Sequence, residues 1–306
     1  MSDFLDRRPP SRAEFRARVQ NGTVILPGAY DAMSARLVEA AGFDGCYVSG
    51  FGVAAGLLGR PDVGLVTGTE MVDTVRRICQ ATSQPVIADA DTGFGNEINV
   101  VRTVKDYEQA GVVGIQLEDQ VYPKRCGHMA GKAVIARDDA VSKIRAAVAA
   151  RTDPDMLIVA RTDALAVNGV DDAIDRAKAF ADAGADVLFV EAPKSQADIE
   201  LVATRLRGYP LLFNWVEGGK TEVLSIDLVE KLGYNIVIFP ISTLLAATYG
   251  MQSMLASLRE TRSTAASAET MATFDDVTDT LGLNRIRDLE AEFQAPNTTR
   301  IDHSTR

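Results

Sequence analysis

Histidine is nearly absent from this chain, with two residues in 306, His128 and His303. Cysteine occurs three times, at 46, 79 and 126, an odd number without the close pairs that bind zinc. Neither a disulfide framework nor a structural zinc site is therefore expected, and the cysteines read as reduced thiols of a cytoplasmic protein. No apolar run reaches the roughly 18 residues that a membrane-spanning helix requires. Met1 to Pro10 is charged and lacks an apolar stretch, so no secretory signal is expected. Positive charge is also scarce, 32 Lys and Arg against 42 Asp and Glu, for a formal net charge of −10. That balance disfavours nucleic acid as a partner, and it means that an anionic substrate must be met by a local positive device such as a metal ion. The glycine fingerprints of dinucleotide and nucleoside-triphosphate sites follow none of the strand candidates.

What the chain does have is one repeated rhythm. Short apolar runs ending in polar or acidic residues alternate with longer segments of helical period. Eight strand candidates result: Thr23–Leu26, Gly45–Ser49, Pro85–Asp89, Gly114–Glu118, Leu157–Arg161, Val187–Glu191, Pro210–Asn214 and Asn235–Phe239. Helical segments between them include Thr69–Ala81 and Val170–Ala183, each with one apolar face. Four helix-to-strand joins carry a glycine in the same place, Gly42, Gly111, Gly184 and Gly233, where a left-handed cap is needed. Eight such units predict an α/β protein of the closed parallel (β/α)8, or TIM-barrel, kind.

Residues 1–260 would form this catalytic barrel, preceded by a short helix over Arg12–Gln20 and closed by a helix over Thr243–Glu260. Residues 261–306 would be an extension. In it a small, polar hinge leads to one amphipathic helix, Phe274–Phe293, with Leu281, Leu283, Ile286, Leu289 and Phe293 on its apolar face, and the last ten residues are frayed. A helix without a place on its own barrel packs on another subunit, so an oligomer is expected.

In such barrels the active site lies at the carboxyl ends of the strands. Those ends bring forward Tyr47, Ser49 and Gly50, then Asp89 and Asp91, Glu118, Arg161 with Asp163, Glu191, Asn214 and Pro240. Alternation along a strand sends Asp89 and Asp91 to one side. Two inward carboxylates beside a third, Glu118, repel one another unless a hard divalent cation, Mg²⁺ or Mn²⁺, is held among them partly through water. Arg161 can bridge Glu191 or Asp163 and still meet substrate. Gly50-Phe51-Gly52 offers backbone N–H groups, with the Ser49 hydroxyl, for a carboxylate. Asp62 reads as a structural residue of its loop, with contact to the site as the alternative. After the fourth strand comes Lys124-Arg125-Cys126-Gly127-His128-Met129-Ala130-Gly131-Lys132, where a thiol flanked by Lys124, Arg125 and His128 sits in an electropositive setting expected to lower its pKa. Gly127 and Gly131 would serve as hinges of a closing loop.

With those residues in hand, the chain closely resembles the isocitrate lyase and phosphoenolpyruvate mutase superfamily. The match runs from Leu26-Pro27-Gly28-Ala29-Tyr30-Asp31 to the helix after Pro240, and its most specific marks are Lys124-Arg125-Cys126-Gly127-His128 and Asp89-Ala90-Asp91-Thr92-Gly93-Phe94-Gly95. The resemblance implies that Cys126 is the general acid on a loop closing over the site. It makes Asp89 and Asp91 the metal carboxylates, with Glu118 supporting through bound water. It places Ser49, Gly50, Phe51 and Arg161 against the α-keto-acid part of a substrate, and His128, Glu191 and Asn214 at further substrate-side positions, with Gly127 and Pro240 nearby. It also implies a homotetramer in which C-terminal helices are exchanged between paired subunits.

Phosphoenolpyruvate mutases of the family lack the cysteine motif, so its presence favours a carbon–carbon lyase. Methylisocitrate lyases place an arginine just after the eighth strand, where this chain has Phe239-Pro240-Ile241-Ser242-Thr243, and oxaloacetate hydrolases favour a serine at the position of Pro240. The balance resembles the 2-alkylmalate and 2,3-dimethylmalate lyases. The expected reaction is a Mg²⁺-dependent retro-aldol cleavage of a 2-hydroxy dicarboxylate to an α-keto acid and a short carboxylate, with methylisocitrate cleavage or oxaloacetate hydrolysis as alternatives and a non-catalytic dicarboxylate-binding barrel as the rival from another class. Tyr47 is the candidate base for the substrate hydroxyl, and a metal-held water is the alternative.

Overall fold

A computed structural model describes residues 8–127, 129, 131–219, 221 and 224–294; His128 and the last ten residues lie outside this set. Eight parallel strands are present: β1 Val24–Pro27, β2 Cys46–Val48, β3 Val86–Asp89, β4 Gly114–Glu118, β5 Leu157–Thr162, β6 Val187–Val190, β7 Leu211–Asn214 and β8 Tyr234–Phe239. Each falls within a residue or two of its predicted span. Pairing runs β1-β8-β7-β6-β5-β4-β3-β2. A parallel bridge between Gly28 and Tyr47, with the Ala29 N–H donating to the Tyr47 carbonyl at 2.8 Å, joins β1 to β2 and closes the ring. Gly28 has to be glycine there, because a Cβ would run into the main-chain carbonyl of Pro240.

The strands are buried on both faces, which is why they read as nearly unbroken apolar runs. Strand alternation divides them cleanly. Ile87, Val159, Phe189 and Ile238 fill the barrel interior, while Ala88, Ile158, Leu188 and Val237 pack outward against the helices. One element was given too small a part by the sequence pattern. The helix Arg12–Asn21 inserts Phe15 and Val19 into the same interior cluster as Val24 and Leu157, so it plugs the barrel at the end away from the site. Phe15 is 1% exposed, and Phe15→Ala is expected to cost about 3–5 kcal/mol in urea unfolding; a loss under 1 kcal/mol would show that the plug is dispensable.

All four glycine joins hold the left-handed conformation, with φ of 78° at Gly42, 102° at Gly111, 97° at Gly184 and 90° at Gly233. The helix Gly68–Ala81 buries its predicted face, and in Val170–Asp182 Ile174 and Ala177 are buried while Val170 and Ala181 pack half-buried against the core. The tail differs from expectation. Its single helix is two, Phe274–Thr280 and Leu283–Phe293, because Gly282 between them has φ 78° and no helix continues through that conformation. The expected hinge contains a short 3₁₀ segment, Ala265–Thr270. The tail touches its own barrel through Arg36, whose guanidinium donates to the Thr280 carbonyl at 2.7 Å. The helix Ser242–Thr261 has no buried residue.

Candidate active site

The inward parity that places Ile87 and Val159 in the core continues into polar residues one step further along each strand. Asp89, Gln116, Arg161, Glu191 and Asn214 therefore end up on the inner side of the carboxyl rim, around a cleft that also takes in Tyr47, Ser49, Phe51, Asp62, Lys124, Cys126, Gly127 and Pro240. Gly50, Asp91 and Glu118 lie just behind its wall. Of the sequence candidates, His128 alone falls outside the described residues.

The floor is set by the turn after β3. Asp91 (φ 47°) and Phe94 (φ 58°) are both left-handed although neither is glycine. Such conformations cost on the order of 1–3 kcal/mol each and persist where the surroundings over-determine them. Here the Asp91 N–H donates to Asp89 Oδ1 at 3.0 Å, and the Asp91 carbonyl accepts from the Glu118 N–H at 2.9 Å. The result aims Asp89 Oδ2 and Asp91 Oδ1 at the same point over Gly50, 3.1 and 3.3 Å from where a Cβ would stand.

Lys124 meets them there. Its ammonium lies 2.8 Å from both Asp62 Oδ2 and Asp91 Oδ1, with the side chain 3% exposed. Burial alone would lower its pKa, but Asp91, Asp89, Glu118 and Asp62 outweigh it and hold the amine well above its ordinary range. Lys124 is thus committed to the carboxylate floor, a different role from the thiol-activating neighbour that the sequence motif suggests. Asp62, read from sequence as a loop residue, is its partner and lines the cleft. The Gly50 N–H, expected to hold substrate, instead faces Asp89 Oδ2 at 3.3 Å.

The site remains short of positive charge. Both carboxylate oxygens of Glu118 are buried without a hydrogen-bond partner, and Asp91 Oδ1 has the shared Lys124 ammonium against it. Desolvation, with the charges of Asp89 and Asp62, pushes Asp91 up to about 7 against the pull of Lys124. Burial raises Glu118 well above the usual carboxylate range even though Arg161 Nη1 stands 3.4 Å from its Oε2. Such a set fits a hard divalent cation, which would relieve three partly uncompensated carboxylates at once. Among the described residues no three acidic, histidine or cysteine side chains converge closely enough to chelate an ion unaided. An ion here would be held by Asp89 and Asp91, with Glu118 acting through water, and would keep open positions for substrate oxygens.

Arg161 is fixed from three sides. Asp163 takes its guanidinium in a fork, Nε to Oδ2 at 2.9 Å and Nη2 to Oδ1 at 3.1 Å, and Glu191 and Glu118 stand at 3.8 and 3.4 Å. Glu191 is braced in turn by the Asn214 amide at 3.3–3.4 Å. Gly127 then rests directly on this pair, and a Cβ there would fall inside Glu191 and 2.5 Å from Arg161 Nη2. The cysteine loop is therefore seated over the cleft. Gly127 serves close approach, and Gly131 holds a left-handed φ of 78°. The Gln120 side chain clamps the loop by bonding both the N–H and the carbonyl of Arg125, at 3.0 and 2.8 Å.

Tyr47 donates to Gln116 Oε1 at 2.8 Å, and Gln116 Nε2 lies 3.4 Å from Asp89 Oδ1. Burial and the charge of Asp89 raise the phenol well above 10. Gln116, fully buried inside the barrel, and Lys132, at the end of the cysteine stretch, are given no role by the sequence pattern. The only signal for Gln116 was its inward parity with Glu118.

Buried carboxylates and a guanidinium that line one cleft with a thiol, at the carboxyl rim of a barrel, are the make-up of an enzyme's site. The phosphoenolpyruvate phosphomutase family matches residues 15–259. A 2,3-dimethylmalate lyase of Eubacterium barkeri is 47% identical over 270 residues, 88% of this chain and 93% of that one. A probable 2-methylisocitrate lyase of Corynebacterium glutamicum is 50% identical over 235 residues, 77% of each chain. The solved structure of a 2,3-dimethylmalate lyase, a PEP mutase/isocitrate lyase superfamily member, superposes with a TM-score of 0.87 at 37% identity, covering 92% of this chain and 95% of that one. The chain belongs to the PEP mutase/isocitrate lyase superfamily and stands with its carbon–carbon lyases.

Proposed function

We propose that this chain cleaves a 2-alkylmalate, of the 2,3-dimethylmalate kind, to an α-keto acid such as pyruvate and a short carboxylate, with Mg²⁺ or Mn²⁺ at Asp89, Asp91 and Glu118. The observation that carries the substrate class is the make-up of the cleft. Beside Cys126, Arg161 and the Asp62 and Asp89 carboxylates, its lining includes the apolar side chains of Phe51, Met129, Val216, Ile238, Pro240 and Ile241. Among the described residues Lys124 and Arg161 are the cations lining the cleft, both already engaged by carboxylates. These side chains suit a methyl or other alkyl group, and among the described residues the cleft adds no further cation for the third carboxylate that methylisocitrate carries.

Arg161 would hold the keto-acid carboxylate, and Ser49 and Asn214 would fix the remaining oxygens. Transfer of the C2 hydroxyl proton to water in the cleft lets the C2–C3 bond break, its electron pair passing into the departing carboxylate as an enediolate. Cys126 then donates its proton to that carbon, and the thiolate regains a proton before the next turnover. Tyr47, which keeps its proton at neutral pH, is a hydrogen-bonding neighbour of the reacting oxygen and not an ionised base. A bound divalent ion would supply charge stabilisation to the developing α-keto acid. The closed loop would keep water from the enediolate.

The test is release of α-keto acid from malate, 2-methylmalate, 2,3-dimethylmalate, methylisocitrate and isocitrate, and loss of oxaloacetate, each with Mg²⁺ and with chelator. Metal-dependent turnover of an alkylmalate is the expected result. Preferred turnover of methylisocitrate or oxaloacetate would overturn the substrate assignment, and turnover untouched by chelator would overturn the metal.

We further infer a cytoplasmic homotetramer. Among the described residues no helix is long and apolar enough to cross a membrane. The helix Ser242–Thr261 leaves Tyr249 and Leu255 75% and 55% exposed, and Phe274 in the tail is 80% exposed. Light scattering should report a mass of four chains, falling on removal of residues 262–306; a monomer would refute the helix exchange.

A further inference from the structure

We propose that Lys132 is a positioning residue that latches the Cys126 loop to the Arg161 end of the cleft, so that an anion bound at Arg161 tightens the loop; this rests on the reading of Arg161 as the carboxylate-binding group. Lys132 follows Gly131 at the loop's far base, yet its side chain is 3% exposed. Its ammonium donates to the Gly127 carbonyl, next to Cys126, and lies 2.6 Å from Asp163 Oδ1. That same carboxylate holds the Arg161 guanidinium in its fork. Asp163 is wholly buried, its backbone N–H is anchored to Asp119 Oδ1 at 2.9 Å, and its carboxylate is held between the two cations. Asp119 is itself held by the Thr162 hydroxyl at 2.7 Å and by Arg176 Nη1 at 3.2 Å.

The chemistry of the two cations makes this arrangement directional. Arg161 has a planar fork with further N–H groups to give, whereas Lys132 is a point charge with three donors and no acceptor. When the loop lifts, Gly127 takes its carbonyl away, and Lys132 keeps a carboxylate that it must share with Arg161. An anion on Arg161 draws the guanidinium toward the cleft and leaves Asp163 more fully to Lys132, which fixes the ammonium where the Gly127 carbonyl will find it. A buried charge left with an unfilled donor is costly, so the closed position is favoured when the cleft is filled. The thiol of Cys126 is one residue from the latched carbonyl, and its placement over the cleft depends on the latch.

The experiment follows amide hydrogen exchange of residues 121–135 with and without oxalate, in the presence of Mg²⁺, for the wild type, Lys132→Met and Lys132→Gln. Oxalate should slow exchange of the loop in the wild type and leave it unchanged in both variants, since glutamine can still donate to Gly127 but brings no charge to Asp163. Activity should split accordingly, kcat falling by about tenfold or more with KM moving much less. If Lys132→Met fails to fold, Lys132→Gln carries the same test. Equal protection of the loop by oxalate in the wild type and a folded variant would overturn the latch while leaving the cleft reading intact. Failure of the wild type to bind oxalate at all would overturn both.

Discussion

Cys126→Ser should bind pyruvate or a substrate analogue as the wild type does and lose roughly 10²–10⁴ in kcat, the range supplied by a positioned general acid. The carboxylate floor, Arg161 and Glu191 are built from β3 to β6 and do not depend on the sulfur. What changes is the donor. A serine hydroxyl holds its proton far more tightly than a thiol, so the enediolate waits for a proton with its energy undiminished. Steady-state assay of α-keto acid release gives kcat, and titration calorimetry with pyruvate gives the binding term. A variant turning over at the wild-type rate would remove Cys126 from the chemistry. Weakened pyruvate binding with kcat preserved would recast it as a substrate contact.

Gly127→Ala should be nearly as damaging although it adds one methyl group. The new Cβ would occupy the space of Glu191 and Arg161. Those groups cannot retreat, since their side chains are 1% and 9% exposed and are held by Asn214 and Asp163. The loop must lift instead, carrying Cys126 away from the cleft. Misplacement of a reacting group by about 1 Å can cost on the order of 100-fold, which is the expected fall in kcat/KM. Exchange of the amides over residues 121–135 should quicken, while the melting temperature stays near that of the wild type, because the change lies outside the barrel core. Unaltered kinetics would mean that the loop works from a more open position than the one seen here.

Much of this site could be read before any coordinates. Parallel strands buried on both faces must be apolar along their length, so their carboxyl ends are marked wherever a run stops at an acidic or basic residue, as at Asp89, Glu118 and Arg161. Alternation then states which side each residue faces. The left-handed glycines at 42, 111, 184 and 233 could be placed because only glycine takes that conformation without strain. Less legible were contacts between charged groups distant in sequence. Lys124 looked like a neighbour of the thiol because it stands two residues away, yet its side chain runs back to Asp62 and Asp91. Nothing in the residues around Lys132 points to Asp163, and a short amphipathic helix such as Arg12–Asn21 does not announce that Phe15 will cork a barrel. The tail was read as one helix because its apolar spacing continues past Gly282, although the backbone does not.

By itself the sequence determined the number of strands, their direction, the rim on which the polar residues gather and the chemical kinds present there. These follow from periodicity and from local backbone preference, properties a chain carries wherever it is. Tertiary structure alone decided which carboxylates Lys124 neutralises, that both oxygens of Glu118 lack a hydrogen-bond partner, that the Tyr47 hydroxyl donates a hydrogen bond to Gln116, and that Gly127 lies against Glu191. Each depends on desolvation and on distances of about 3 Å between residues far apart in the chain, and electrostatic energies at such range are set by the folded surroundings and not by the residues' own identities.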